Sequence, residues 1–160
     1  MSAPKSVVKL SKNGVEYTSS VDKCEYYIFE LSRAALRDVA RYVKRKFREN
    51  YYSHFKKRTG KGPRAVYSVV MSSKKTKYPR VEIGLPHSHK GKKVTGFYSF
   101  FQELGTSKTP RLGLLTNAVE QNIAEIVKIE SQYLSALEDE AKALSMIESE
   151  NDYEGGVDDE

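Results

Sequence analysis

Cysteine is almost missing from this chain. Cys24 is the only one among 160 residues, which excludes an internal disulfide and any cysteine-based zinc site. A lone thiol early in a helix reads as a small core residue rather than a nucleophile. Long apolar runs are missing too: none approaches the roughly 20 residues that a membrane-spanning helix needs. The first residues, Met1-Ser-Ala-Pro-Lys-Ser, form no apolar signal segment, so the protein is expected to stay in the cytoplasm where it is made. No Ser-His-Asp or Cys-His arrangement stands out, and no glycine-rich cofactor turn opens a helix. The expectation is a protein that catalyses nothing and needs no cofactor or metal. Gly60-Lys61 runs from helix to strand with Pro63 close behind, the wrong order for a phosphate loop. His87 and His89 lie in a polar loop without cysteine or a nearby carboxylate, so they read as solvated rather than as metal ligands.

Acid is scarce ahead of Leu112. That part holds 25 Lys+Arg against 8 Asp+Glu, a balance of +17. From Leu112 onward the counts are 2 and 13, a balance of −11, and the whole chain carries +6. A basic body with an acidic end suits partners of both signs, or self-assembly of unlike ends. The plainer reading is a solvated basic surface and a disordered acidic tail. Length and composition otherwise describe one soluble globular domain with a modest core.

Residues 1–21 read as an arm or edge hairpin: Val7, Val8 and Leu10 suit a short strand and Asn13-Gly14 a turn. Asp22 with Glu25 looks like a capping box, with Val21 and Tyr26 as its staple, and opens a helix of about 30 residues. Ile28, Leu31, Ala35, Val39, Val43 and Phe47 form its apolar row. Arg33, Arg37, Arg41, Lys44, Arg45 and Arg48 occupy the opposite face. Arg58-Thr59-Gly60-Lys61-Gly62-Pro63 ends the helical region. Ala65–Met71 and Val81–Leu85 read as two strands of an antiparallel hairpin. Their connection carries Lys74, Lys75 and Lys77, and the loop after them carries Lys90, Lys92 and Lys93.

The stretch from Phe97 to Val119 organises the rest. Phe97, Tyr98, Phe100 and Phe101 are too apolar to leave in water, and periodicity leaves residues 97–104 open between strand and helical turn. A turn follows, in which Gly105 is expected at positive φ and Thr106 and Ser107 to cap local amides. Glu103 has two readings: a partner for a cation across a subunit boundary, or a carboxylate bonding the turn's own amides. Leu115, Val119, Ile123, Ile126, Ile129 or Glu130, Tyr133, Leu137, Ala141 and Leu144 then mark one long helix over about 112–147. Residues 148–160 read as a disordered acidic tail. The expected fold is α+β: a single domain over 22–147 with a long N-terminal helix, a small antiparallel sheet and a long C-terminal helix.

Phe100-Phe101-Gln102-Glu103-Leu104-Gly105-Thr106-Ser107-Lys108-Thr109-Pro110 resembles a signature of the tail-completion, or head–tail joining, proteins of long-tailed bacteriophages. That signature reads aromatic-Val-Glu-Phe-Gly-Thr-Ser-Lys-Met-Pro. Arg58-Thr59-Gly60 and Val81-Glu82-Ile83-Gly84 are similar to two weaker family motifs in the right order, so the likeness spans roughly residues 22–135. After the turn, where the family reads Pro-Phe-Leu-Arg-Pro-Ala, this chain departs with Leu112-Gly113-Leu114-Leu115-Thr116-Asn117-Ala118. The resemblance implies a non-enzymatic virion protein of the neck: a ring, hexameric or dodecameric, that completes the tail. Its implied partners are the head-side connector or stopper protein and the tail terminator or tail tube protein, with genomic DNA passing through the lumen and no membrane.

A second class stays open beside it, a basic nucleic-acid-binding module. Its support is the arginine face of the first helix, the lysine-rich connections, and the interleaved Tyr51-Tyr52-Ser53-His54-Phe55-Lys56-Lys57-Arg58. The six loop lysines named above are the candidate contacts to partners or DNA. For self-assembly, the candidate interface sets Arg37, Arg41 and Arg45 of one subunit against Glu125, Glu130 and Glu138 of the next. Phe47, Tyr51, Leu137 and Leu144 are expected to supply apolar surface there.

Overall fold

The computed structural model describes residues 7–12, 15–56, 61–71, 78–85 and 97–153. The architecture is α+β, as expected. Strands β1 (Val7–Lys12) and β2 (Val15–Ser19) pair antiparallel. Helix α1 (Val21–His54) follows, then β3 (Tyr67–Met71) and β4 (Arg80–Gly84). Helices α2 (Phe97–Leu104), α3 (Leu114–Glu120), α4 (Ile123–Ser135) and α5 (Glu140–Tyr153) complete the chain, with a 3-10 turn at Ala136–Glu138 between the last two.

Helix α1 is the spine. No glycine or proline interrupts its 34 residues, so it runs about 50 Å at 1.5 Å per residue. Two clusters of side chains bury its length. Tyr27, Leu31, Ala34 and Ala35 of its first half pack with Tyr133, Ala136, Ala143 and Ile147. Phe47 of its second half packs with Val66, Leu114 and Ala118. Val39, Ala40 and Val43, between the two along the helix, are buried as well. Asp38 ties α1 to α4 by accepting from the Tyr133 hydroxyl, and it also takes Arg41.

The sheet matches its reading. Tyr67 pairs with Gly84 and Val69 with Glu82, antiparallel. Val70, Val81 and Ile83 turn toward the helix while Tyr67, Val69 and Glu82 face out.

Several expectations are corrected. Helix α1 begins at Val21, with Ser20 as its cap residue and no side-chain cap bond, so the Asp22–Glu25 capping box does not form. Val21 is exposed, which removes the staple. Asp22 still places a negative charge in the first turn, where the helix dipole favours it. Cys24 and Ile28 are exposed rather than core, because α5 docks on the side of Tyr27 and turns the buried arc of the first turns away from them. Phe47, expected at an interface, is 1% exposed and fills this chain's own core.

The single C-terminal helix is broken twice. At the first break Asn122 donates its side-chain amide to the Ala118 carbonyl at 3.0 Å and accepts from the Tyr42 hydroxyl at 2.9 Å. A side chain that bonds a carbonyl in this way competes with the backbone ladder. The break resets the helical phase, leaving Val119 and Ile123 exposed although they continue the sequence stripe. At the second, Asp139 is extended, and its Oδ1 accepts from the Ala141 amide at 2.9 Å to cap α5. Helix α5 then continues to Tyr153, into the stretch expected to be disordered.

Helix α5 is pinned to the start of α1 by a small polar clamp. Lys23 Nζ lies 2.6 Å from Glu140 Oε1, and the Tyr27 hydroxyl donates to the same oxygen at 3.0 Å. The Lys23 bond, then the Tyr27 bond, holds the Glu140 carboxyl below its ordinary pKa, and the Glu140 bond holds Lys23 above its own. A lowered carboxyl pKa gives stability that is present above the unfolded value and lost as pH falls through the folded value. A raised lysine pKa gives stability that is lost as pH rises through the folded value. The clamp is therefore complete at neutral pH and opens first on the acid side. Acid titration followed by NMR shifts of α5 should show a step set by Glu140, and Glu140→Gln should remove it. An unchanged step would place the acid sensitivity elsewhere.

Candidate functional site

The signature stretch folds as one device. Residues 97–104 are helix, which settles the choice that periodicity left open. The helix stops at Gly105, whose φ is +78°, the positive value expected there. A Cβ at this position would meet the Arg111 backbone nitrogen at 2.8 Å, so glycine is required both for conformation and for space. Thr106 closes the turn. Its Oγ1 accepts from the Thr109 amide at 3.0 Å and the Lys108 amide at 3.2 Å, while its own amide donates to the Thr109 carbonyl at 2.8 Å. Ser107, Lys108 and Pro110 are exposed on its outside. The chain then returns: the Leu112 amide donates to the Gln102 carbonyl at 2.9 Å.

Glu103 does something neither reading anticipated. Its carboxylate accepts from the Leu115 amide at 2.8 Å, the Thr116 amide at 2.9 Å and the Thr116 hydroxyl at 2.7 Å. These are orphan donors at the start of α3, whose own cap residue is Gly113, at φ +59° and with no side chain to offer. Glu103 thus caps a helix from outside it, and its negative charge sits at the positive end of the helix dipole. The departure from the family pattern at Leu112–Ala118 falls on this helix start. Glu103→Ala is expected to cost about 1–2 kcal/mol, the usual weight of a lost cap. Urea denaturation measures it, and a change below a few tenths would mean that water replaces the carboxylate at no loss.

The device is fastened to α1. Asn50 donates its side-chain amide to the Leu114 carbonyl at 3.3 Å, beside the Phe47 cluster. The buried Ser99 hydroxyl donates to the Gly62 carbonyl at 3.3 Å, holding α2 against the turn at 61–64. Gly62 lies directly beneath the Tyr51 ring, where a Cβ would come within 2.1 Å of the hydroxyl oxygen.

The candidate basic face is less available than its count of cations suggests. Arg33 pairs with Glu30 at 3.0 Å and Arg41 with Asp38, each one turn along α1. Arg45 lies over the Tyr42 ring at 5.3 Å, and Arg37 has an interaction of its own. On the acidic side, Glu125 pairs loosely with Lys128 at 3.7 Å. Glu130 is half-buried and Glu138 exposed. Helix α4 packs along α1 in the same chain, so the two expected interface helices already cover part of each other. Arg58, Thr59, Gly60, Lys74, Lys75, Lys77, Lys90, Lys92 and Lys93 lie outside the described residues.

Sequence reasoning missed an apolar cleft. Ile28, Leu31, Leu36, Leu134 and Leu137, with Tyr78 and Pro79, line a hollow of about 270 Å³, and Glu130 stands among them. Its signal was Leu134, which falls with Ile123 and Val127 on a second apolar row of α4, on a side that the inward row of half-buried Ile126 and Ile129 and buried Tyr133 does not use. The cleft and the signature device sit on different halves of α1, roughly 25 Å apart along its axis.

Among the described residues no group of three or more His, Cys, Asp or Glu could hold a metal ion, and no helix is long and apolar enough to cross a membrane. No family model, no curated protein and no solved structure matches the chain.

Proposed function

We propose that this chain is a structural assembly subunit of a long-tailed phage, a ring component at the head–tail junction that completes the tail and joins it to the head connector. It works by presenting surfaces, without catalysis, and its place is the neck of the virion. One observation carries the reading. The stretch with the most specific resemblance, Phe100–Pro110, is a single coupled device in which Gly105, Thr106 and Glu103 each have a defined task. The head-side connector or stopper and the tail tube or terminator are the partners this reading supplies.

Nucleic-acid binding is the competing class. It loses ground on α1, where Glu30 and Asp38 already balance two of the cations of that face. Electron microscopy of the purified protein separates the two. The assembly reading expects closed rings with a central opening. Monomers that bind duplex DNA with a steep salt dependence, several phosphates in slope, would replace it with the second reading.

A further inference from the structure

We propose that the α2 face of one copy seats in the α1–α4 cleft of the next, head to tail. The inference rests on the assembly reading only in supposing that copies of this chain meet. It replaces the basic partner expected on α1 with a different surface.

Helix α2 is built inside out. Its polar side chains point inward: Ser99 is 3% exposed on the Gly62 carbonyl, and Glu103 caps α3. Two of its apolar side chains point outward, Tyr98 at 79% exposed and Leu104 at 57%, while Phe100 and Phe101 are half-buried, Phe101 lying between the two at three-residue steps. An isolated exposed apolar residue needs no explanation, but a helix with its apolar side in water does. The rim of this face is basic. Lys61 and Arg64 on the turn under α2, and Lys108 and Arg111 beyond it, are all exposed. Among the described residues no ion pair balances them, and Glu103, the acid nearest to Lys108 and Arg111 in sequence, is taken by α3 amides.

The cleft is the complement in both respects. Its floor and walls are apolar, and Ile28 (50% exposed) and Leu134 (61%) leave much of their surface in water. Val127 and Ile123 extend the same exposed stripe along α4. Its rim is acidic, with Glu130 in the lining and Glu138 beside Ile28 and Leu137. Apolar anchors entering such a hollow supply affinity, while opposite rims set register and reject the wrong orientation. The two faces lie on different halves of a rigid 34-residue helix, so one molecule cannot close them on itself. Each copy that joins leaves one face of each kind open, and such a heterologous contact grows until its rotation closes a ring.

The test uses three double variants of the full chain, each altering exposed residues only. Leu134→Glu with Leu137→Glu blocks the cleft, and Tyr98→Glu with Leu104→Glu blocks the α2 face. Lys108→Glu with Arg111→Glu is a second block of that face that leaves its apolar residues in place. Circular dichroism confirms folding, and sedimentation velocity reads mass against concentration. Wild type is expected to associate. Either block alone should weaken association about 30-fold or more, the usual weight of one central anchor. A 1:1 mixture of cleft-blocked and α2-blocked chains keeps one intact contact and should stop at a dimer. If wild type associates and the blocks change nothing, this contact is wrong while the assembly reading survives. If one blocked variant alone still forms a dimer as strongly as wild type, the contact is not head to tail and the inference falls. A wild type that stays monomeric at every concentration and forms no rings overturns both.

Discussion

Phe47→Ala should lower stability by about 3–5 kcal/mol, the largest loss from any single substitution considered in this chain. Phe47 is 1% exposed and is the largest side chain so deeply buried. It packs in one cluster with what arrives from three directions: Val66 ahead of β3, Leu114 and Ala118 from α3, and the half-buried Tyr51 from its own helix with Phe55 just past its end. Removing the ring opens a cavity that these elements cannot fill together, because α3 is fixed by Glu103 and Asn50. A melting temperature about 10–15 °C lower follows for a domain of this size. Loss of oligomers without loss of stability would be the signature of the interface role first expected for Phe47, and would count against the core described above.

Gly105→Val should cost about 2–4 kcal/mol. A β-branched residue at φ +78° is strained by about 1–3 kcal/mol on conformation alone. Its Cβ would also stand 2.8 Å from the Arg111 nitrogen, a backbone atom that cannot swing aside. Gly113 provides the control. It too has positive φ, +59°, but the nearest atom to its Cβ would be 3.8 Å away. Gly113→Asn should therefore stay within about 1 kcal/mol of wild type, since asparagine tolerates the left-handed region. Urea titration of Gly105→Asn beside Gly113→Asn, the same side chain at both positions, separates space from conformation. Equal losses at both positions would show that the Arg111 contact contributes nothing.

What could be read ahead of the structure was whatever one side chain or one short period decides. The apolar row from Leu31 to Phe47 defined α1 because nothing interrupts it, and strict alternation defined β3 and β4. Gly105 and Thr106 were legible because turns are built from neighbours in sequence. The cap on α3 was not, because Glu103 reaches across 12 residues and a doubled-back chain to find its amides. Nor was the break at Asn122, where one side chain chooses the Ala118 carbonyl over solvent. Ile28 fits a helical row as well as Tyr27 does. Only the docking of α5 decides which of the two is buried, and that depends on a segment more than a hundred positions away.

That distance has a consequence for how the chain is made. Synthesis runs from the first residue onward, and α1 can coil as soon as it emerges. The partners of its second half, Val66, Leu114 and Ala118, follow in time to cover Phe47. Its first half must wait until Tyr133, Ala136, Ala143 and Ile147 have been added. Through that interval Leu31, Ala34 and Ala35 face the surroundings uncovered, on a helix already held at its other end. A nascent chain halted near Glu120 would thus be half folded and adhesive at one end only. It would be a substrate for chaperones, or for premature contact with its neighbours on the same message, until α5 arrives and Glu140 meets Lys23.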